Sequence, residues 1–360
     1  MRIDQVIVAA APGDAITTQA LEIARLVRAR GQPSWIFARY IDPQLAGDVL
    51  PLDRYPPPAG PADALLYHAS IGEPVVTAFL HERPEPLAIV YHNMSPAEPF
   101  APYDPGFADR LVDGRRELAA LRPRVRLALA VSAFNAADLA GLGYTGIGVA
   151  PLIVDPDRLL AVAPHEETVR WQAEVPGSTL LFVGQLLPHK QAHVLLQAYH
   201  ILVTYLLPES NLFLVGAARL PRYKECLQCF IEEMNLTRCG IIRSPVSDAE
   251  LAAYYRRADA VVTLSGHEGF CVPLLEAMSF GKPVLARAAG AIPETLAGAG
   301  LLIGPDDGAG VAAEAMLEVL TNRALRASLV ARGRDRLAAF RPEAARATLV
   351  QHLARLEAGP

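Results

Sequence analysis

The sequence predicts an α/β protein made of two doubly wound parallel sheets, and three observations carry that reading. Short, nearly continuous apolar runs alternate with amphipathic stretches along the chain. Strands that are apolar on both faces belong to parallel sheets covered by helices on both sides. The alternation pauses over Pro151–Pro164, a stretch rich in Pro and Asp as a hinge should be, and then begins again. With 360 residues, 52% of them hydrophobic and 20% charged, the chain is long enough to bury two cores.

In order, Ile3–Ala11 reads as the first strand. The amphipathic Thr17–Arg30 follows as a helix that stops at Gly31. Ser34–Ala38, Ala64–Tyr67, Leu87–Tyr91 and Leu127–Val131 are the next strands, separated by helical or loop segments. Pro56–Pro61 reads as a stiff surface loop inside the first domain. After the hinge come strand Thr179–Val183, helix Ala192–Leu206, strand Leu212–Val215, helix Arg222–Asn235 and strand Ala260–Leu264. The expected domains are residues 1–157 and 158–341, with a last helix over Pro342–Glu357. No repeat of solenoid period is present.

A net charge of −5 gives no reason to expect nucleic acid. No stretch reaches the roughly 18 apolar residues needed to span a bilayer. Val6–Ala11 is a strand rather than a signal-peptide core, and four cysteines fit a reducing compartment, so a cytoplasmic location is expected. Cys226 and Cys229 fall within one helix without a second close pair, and His189 and His193 lack the glutamate of a metalloprotease helix, so no metal is expected. Walker A, G-x-G-x-x-G and G-x-S-x-G patterns are all missing, which weighs against kinase, dehydrogenase and hydrolase classes. Arg110, Arg115, Arg116, Arg122, Arg124 and Arg126 cluster with Leu111, Val112, Leu118 and Leu121. They read either as solvated arginines or as a peripheral face for anionic lipid.

The most informative stretch is Ser265-Gly-His-Glu268-Gly-Phe-Cys-Val-Pro-Leu-Leu-Glu276. It joins an apolar strand to a helix whose first turn suits Pro273 and whose stop suits Gly281. Free amides from Gly269 to Leu274 would hold an anion or a ring of hydroxyls. Glu268 before them and Glu276 one turn inside the helix read as acceptors for sugar hydroxyls on either side of a phosphate.

This segment resembles the E-x7-E signature of the retaining GT-B glycosyltransferases known as family 4. The resemblance extends upstream through Ser247–Ala260 and downstream through Gly281–Ala286, Gly290–Glu294 and Leu301–Asp307. It implies the GT-B fold, two Rossmann-like domains facing across a cleft, with the helix 342–360 returning to the first domain. It further implies a donor site in the second domain. Glu276 would hold the ribose, while Glu268 and the amides of Gly269, Phe270, Cys271 and Val272 would hold the sugar.

A second constellation is Gly184-Gln185-Leu-Leu-Pro-His-Lys190, at the end of an apolar strand. Ligands of open α/β sheets lie beyond such strand ends, where Lys190 can neutralise a diphosphate. The family's arginine after the glycine is Gln185 here, which brings no charge; Arg219 and Lys224 are candidates to compensate. His92, after Leu87–Tyr91, either caps the strand end or, as the resemblance implies, lies close to the transferred sugar. Gly13 opens the loop after the first strand and resembles the family's glycine-rich first loop. Ser132 is a weaker strand-end candidate. Glu294 reads as a helix-dipole charge or a ligand contact, and His267 as a donor contact or a solvated side chain.

The expected function is transfer of a hexose from a GDP- or UDP-sugar to a saccharide, lipid-linked or small-molecule acceptor, with retention and without metal or other cofactor. Two alternatives stay open on the same scaffold: a nucleotide-sugar epimerase or phosphorylase, and a non-catalytic carbohydrate-binding protein.

Overall fold

The structure, a computed structural model, describes residues 1–57, 63–243 and 246–357. Most of the Pro56–Pro61 loop lies outside them. The chain divides into two compact units. The first comprises Met1–Ala97, Gly106–Val154 and the segment from Pro342; the second comprises Glu98–Pro105 and Asp155–Arg341.

The first unit holds the strands β1 (Ile3–Ala10), β2 (Ile36–Ile41), β3 (Val49–Pro51), β4 (Ala64–Ala69), β5 (Leu87–Tyr91), β6 (Val125–Ala130) and β7 (Gly148–Val149). They form one parallel sheet in the order β3-β2-β1-β4-β5-β6-β7. Helices α1 (Ala15–Ala29), α2 (Pro74–Glu82), α3 (Pro105–Leu121) and α4 (Ala133–Gly141) connect them. Successive strand residues face opposite sides. Ile7 therefore enters a core with Ala20 and Ala24 of α1, while Val6 and Val8 enter another with Val76, Leu118 and Leu139. Burial on both faces explains why β1 reads as a continuous apolar run. Asp14 caps α1 by accepting from the Thr17 amide at 2.9 Å, a contact worth about 1 kcal/mol. The helix Pro342–Glu357 packs in this unit, where Arg346 meets Glu22 at 3.1 Å and His352 lies against Gly148.

The second unit repeats the plan with β8 (Ser178–Val183), β9 (Ser210–Gly216), β10 (Cys239–Arg243), β11 (Ala260–Thr263), β12 (Val284–Arg287) and β13 (Leu301–Ile303). Their parallel order is β10-β9-β8-β11-β12-β13. Helices α5 (Glu166–Ala173), α6 (Ala192–Ile201), α7 (Pro221–Glu233), α8 (Asp248–Arg257), α9 (Val272–Ser279), α10 (Ile292–Leu296), α11 (Ala309–Thr321) and α12 (Arg323–Leu337) cover it. The long helix expected over Ala192–Leu206 is α-helical only to Ile201 and closes with a π turn over Leu202–Leu206. Leu207 precedes Pro208, and a residue before proline resists the α conformation. Ser247 and Glu250 form a reciprocal capping box at α8.

One segment departs from the sequence reading. Glu98–Pro105 lies between first-unit segments yet packs in the second unit. Buried Phe100 lies tilted against His189 with ring centres 5.3 Å apart, and Tyr103 meets Tyr223 edge-on at 5.0 Å. No helix among the described residues is long and apolar enough to cross a membrane.

Candidate functional site

Each sheet reverses its strand order once, between β1 and β4 in the first unit and between β8 and β11 in the second. In open α/β sheets, ligands bind outside the carboxyl ends of the strands at such reversals. Both constellations singled out in the sequence stand at the second of these points, after β8 and after β11.

In the second unit, β8 runs into Gly184, whose φ of 153° sets the exit of the chain. A Cβ on Gly216 of β9 would lie 1.8 Å from the Gly184 carbonyl oxygen, so these two backbones meet directly. Gln185 is half-buried and Lys190 closes a single 3-10 turn, Pro188–Lys190. The loop after β11 is tied to that turn by a hydrogen bond from the Gly266 amide to the His189 carbonyl at 2.9 Å. Across this tie Lys190 Nζ donates to Glu268 Oε2 at 2.6 Å. Glu268 is 7% exposed. Two charges withdrawn from water in this way need each other or a ligand, because either one left alone would be severely penalised.

Glu268 is held from behind. Its carbonyl accepts from the Ala291 amide at 2.9 Å, and a Cβ on Gly290 would stand 2.2 Å from that same oxygen. Beyond it, Cys271 takes a left-handed conformation (φ 71°) and opens α9. Among the described residues, the amides of Gly269, Phe270, Cys271 and Val272 donate to no protein acceptor. Phe270 is pinned by a hydrogen bond from Thr295 Oγ1 to its carbonyl at 2.8 Å. Burial pushes the Cys271 thiol well above its ordinary pKa, which leaves it an inert wall of the site. Glu276 lies inside α9, where it accepts from the Tyr255 hydroxyl at 2.7 Å. Burial raises its pKa, and the Tyr255 hydrogen bond partly offsets that rise.

The flanking groups divide. Arg219 is exposed in the loop after β9, and Lys224 is half-buried near the start of α7. His193 shares a hydrogen bond with the Tyr223 hydroxyl at 2.9 Å. Burial, then Lys190 and His267, keep buried His189 well below the usual histidine range. His267 is half-buried, whereas Glu294 is exposed in the first turn of α10, with its carbonyl accepting from Arg336. The sequence also suggests Arg243-Ser-Pro-Val246 as a stretch near the nucleotide base, and Ser244 and Pro245 of it lie outside the described residues.

In the first unit, Gly13 (φ 72°) precedes the Asp14 cap at the end of β1. His92 follows β5, half-buried, with Nε2 at 2.9 Å from Nδ1 of His68. Burial lowers the His92 pKa to about 3 and puts that of His68 well below its ordinary value. The turn after His92 is set by the Tyr91 hydroxyl, which accepts from the Met94 amide and donates to Asp138. Arg115 grips that carboxylate with two bonds of 2.8 and 3.0 Å.

Two readings are revised here. The Ser132 hydroxyl caps α4 by accepting from the Asn135 amide, a structural role that accounts for its place at the strand end. The arginine cluster does not form one apolar-basic face: Leu111, Leu118 and Leu121 point into the core, and Arg115 and Arg124 bind Asp138 and the Arg83 carbonyl. Cys226 and Cys229 are free and exposed on α7. Among the described residues, no group of three or more His, Cys, Asp or Glu is placed to hold a metal.

Sequence reasoning missed Gln5, His68 and Tyr255. Gln5 and His68 were detectable as polar residues inside otherwise apolar strands, since buried polar groups require partners.

Residues 166–336 match the family model described as glycosyl transferases group 1. A stretch of 155 residues is 34% identical to O-antigen chain mannosyltransferase B of Escherichia coli, over 42% of this chain and 39% of that protein. Another of 174 residues is 33% identical to D-inositol 3-phosphate glycosyltransferase of Corynebacterium jeikeium, over 45% and 40% respectively. The chain thus spans about two-fifths of the length of these curated relatives. Among solved structures, sucrose-phosphate synthase of Thermosynechococcus elongatus superposes with a TM-score of 0.78 at 20% identity, covering all of both chains. Anabaena HepE in complex with UDP-glucose gives 0.77 at 18%, covering 98% and 99%. The architecture is the GT-B one: two parallel-sheet, Rossmann-like domains.

Proposed function

We propose that the chain is a glycosyltransferase that takes a hexose from a GDP- or UDP-sugar and passes it, with retention, to a saccharide, lipid-linked or small-molecule acceptor. One observation carries the reading. A part-buried Lys190–Glu268 pair adjoins four unsatisfied amides at the strand-order reversal of the second unit, with Glu276 eight residues further on. That is an anion seat flanked by two hydroxyl acceptors. The family match covers this same unit, and HepE was solved with UDP-glucose.

In this reading Lys190 and the amides of Gly269 to Val272 receive the diphosphate. Glu268, released from Lys190 by the phosphate, accepts from hydroxyls of the sugar, and Glu276, oriented by Tyr255, accepts from the ribose. As the bond from the anomeric carbon to the phosphate oxygen breaks, negative charge grows on the diphosphate. Fixed positive groups meet it without reorganisation, often the largest single catalytic term. The acceptor oxygen bonds to the anomeric carbon on the same face, and its proton passes to the departing phosphate oxygen. No metal is required, since Lys190 and the amides supply the positive field. By the family resemblance, His92 lies close to the transferred sugar.

The test is a thermal-shift panel of UDP, GDP, ADP, dTDP and their sugar conjugates, with Glu276→Ala as control. A ligand at a hundred times its Kd adds about 2.7 kcal/mol. One nucleotide should raise the midpoint of the native protein and not of the control, and nucleotide release should then depend on added acceptor. Gln185, uncharged where the resemblance expects an arginine, favours a second reading, a carbohydrate-binding relative. A flat panel, or binding without transfer to a broad acceptor set, would select it.

A further inference from the structure

A chain of three side chains crosses the first unit at its strand-order reversal. Gln5 of β1 donates from Nε2 to the Ala20 carbonyl of α1 at 2.9 Å, while its Oε1 lies 2.9 Å from Nε2 of His68 in β4. Nδ1 of His68 then lies 2.9 Å from Nε2 of His92, and the two rings stack at 5.1 Å. Gln5 and His68 are both wholly buried.

The proton positions along this chain are determined by one backbone atom. A carbonyl oxygen only accepts, so the Ala20 oxygen fixes the Gln5 amide with its NH2 toward α1 and its oxygen toward His68. That oxygen also only accepts, so the proton of neutral His68 sits on Nε2. His68 Nδ1 is then a bare lone pair, and the hydrogen bond to His92 needs a proton on His92 Nε2. Neutral His92 therefore carries no proton on Nδ1. Among the described residues that nitrogen has no protein partner.

We propose that Gln5 and His68 are positioning residues that hold His92 as its Nε2–H tautomer, so that His92 Nδ1 serves as a hydrogen-bond acceptor for a substrate hydroxyl. The substrate part rests on the transferase reading; the tautomer does not. An apolar pair would fill the same core space without desolvating three polar side chains, and the three are satisfied only in this proton arrangement. Which ring nitrogen is protonated is set by the bond the other one makes. Here that control runs from a helix carbonyl through Gln5 and His68 to a ring at the mouth of the sheet.

The tautomer is read directly from imidazole nitrogen NMR of the full chain labelled at histidine, at pH 7 and without substrate. The His92 signals are identified by their loss in His92→Gln. A protonated Nε2 with a bare Nδ1 is the expected result; a protonated Nδ1, or a ring charged at both nitrogens, overturns the proposal. Gln5→Leu removes the acceptor that orders the chain. It should give mixed tautomers at His92 and lower kcat for transfer about fivefold, with donor Kd unchanged, the equivalent of one hydrogen bond of about 1 kcal/mol. An unchanged His92 spectrum in a folded Gln5→Leu protein would also overturn it. Should the native protein transfer no sugar at all, the transferase reading fails, while the tautomer assignment still stands or falls on the spectra.

Discussion

Acidification from pH 7 to pH 5 should weaken the first unit by a calculable amount through its two neutral histidines. Burial lowers the His68 pKa well below 6.5 and brings that of His92 to about 3. The folded values are depressed, so the stability they carry is present above 6.5 and is lost as pH falls toward the folded values. Unfolded histidines take up their protons between 6.5 and 5, while the folded rings do not. At about 1.36 kcal/mol per pH unit, each ring costs about 2 kcal/mol by pH 5, and the pair about 4 kcal/mol. Asp4 acts oppositely. Burial raises its pKa to about 6, so the stability it carries is present at low pH and lost as pH rises through 6. Acidification to pH 5 therefore returns about 1.4 kcal/mol from Asp4. Comparing the native chain with a His68→Gln/His92→Gln double variant cancels Asp4. The chain has two tryptophans, Trp35 in the first unit and Trp171 in the second. A Trp171→Phe background thus lets fluorescence follow urea unfolding of the first unit alone. The native protein should lose about 4 kcal/mol more than the double variant between the two pH values. Equal losses would refute the argument, because the rings would then not be held neutral by the fold.

Four further outcomes follow from the second unit. Glu268→Gln and Lys190→Ala should each slow sugar transfer at least roughly tenfold, about 1.4 kcal/mol of barrier, in steady-state assays with circular dichroism confirming the fold. Gly290→Ala should cost more than about 2 kcal/mol in urea unfolding, because its φ is 56° and its Cβ would press on the Glu268 carbonyl. Gly298→Ala, equally left-handed at 89° but with open space around it, should cost only about 1 kcal/mol. Tyr255→Phe leaves one Glu276 oxygen unsatisfied in a buried place; it should cost about 1–3 kcal/mol of stability and, by calorimetry, weaken nucleotide binding several-fold.

The long central strands were legible because burial on both faces leaves a continuous apolar signature, as in Leu87–Tyr91 and Thr179–Val183. Strands β3 and β7, Val49–Pro51 and Gly148–Val149, are too short for any periodicity to register. The glutamate and lysine of the candidate site stood out because loop polarity, glycine and a helix start coincide in sequence. Their mutual ion pair did not, since it depends on the pairing of β8 with β11 across most of a unit. The Gln5–His68–His92 chain was hidden for the same reason. Each polar residue is visible inside its strand, but which one faces which is set by the register of β1 against β4. Glu98–Pro105 reads as an ordinary loop after β5, and only Phe100 on His189 and Tyr103 on Tyr223 reveal its allegiance.

The interleaving of the two units bears on how the chain is made. The first unit is assembled from three stretches of sequence, with the whole of Asp155–Arg341 inserted before the last of them. During synthesis, Leu349, Leu353 and Leu356 of that last stretch leave the ribosome after the entire second unit, and all three are buried in the finished protein. The first-unit sheet must therefore wait, with part of its apolar surface uncovered, while a later-synthesised body completes itself. Contacts of such long sequence separation form slowly, since chain closure precedes the reward of packing. The nascent chain is consequently most prone to aggregation in its N-terminal half, and shortening the interval before Pro342 emerges is the lever that would improve its yield.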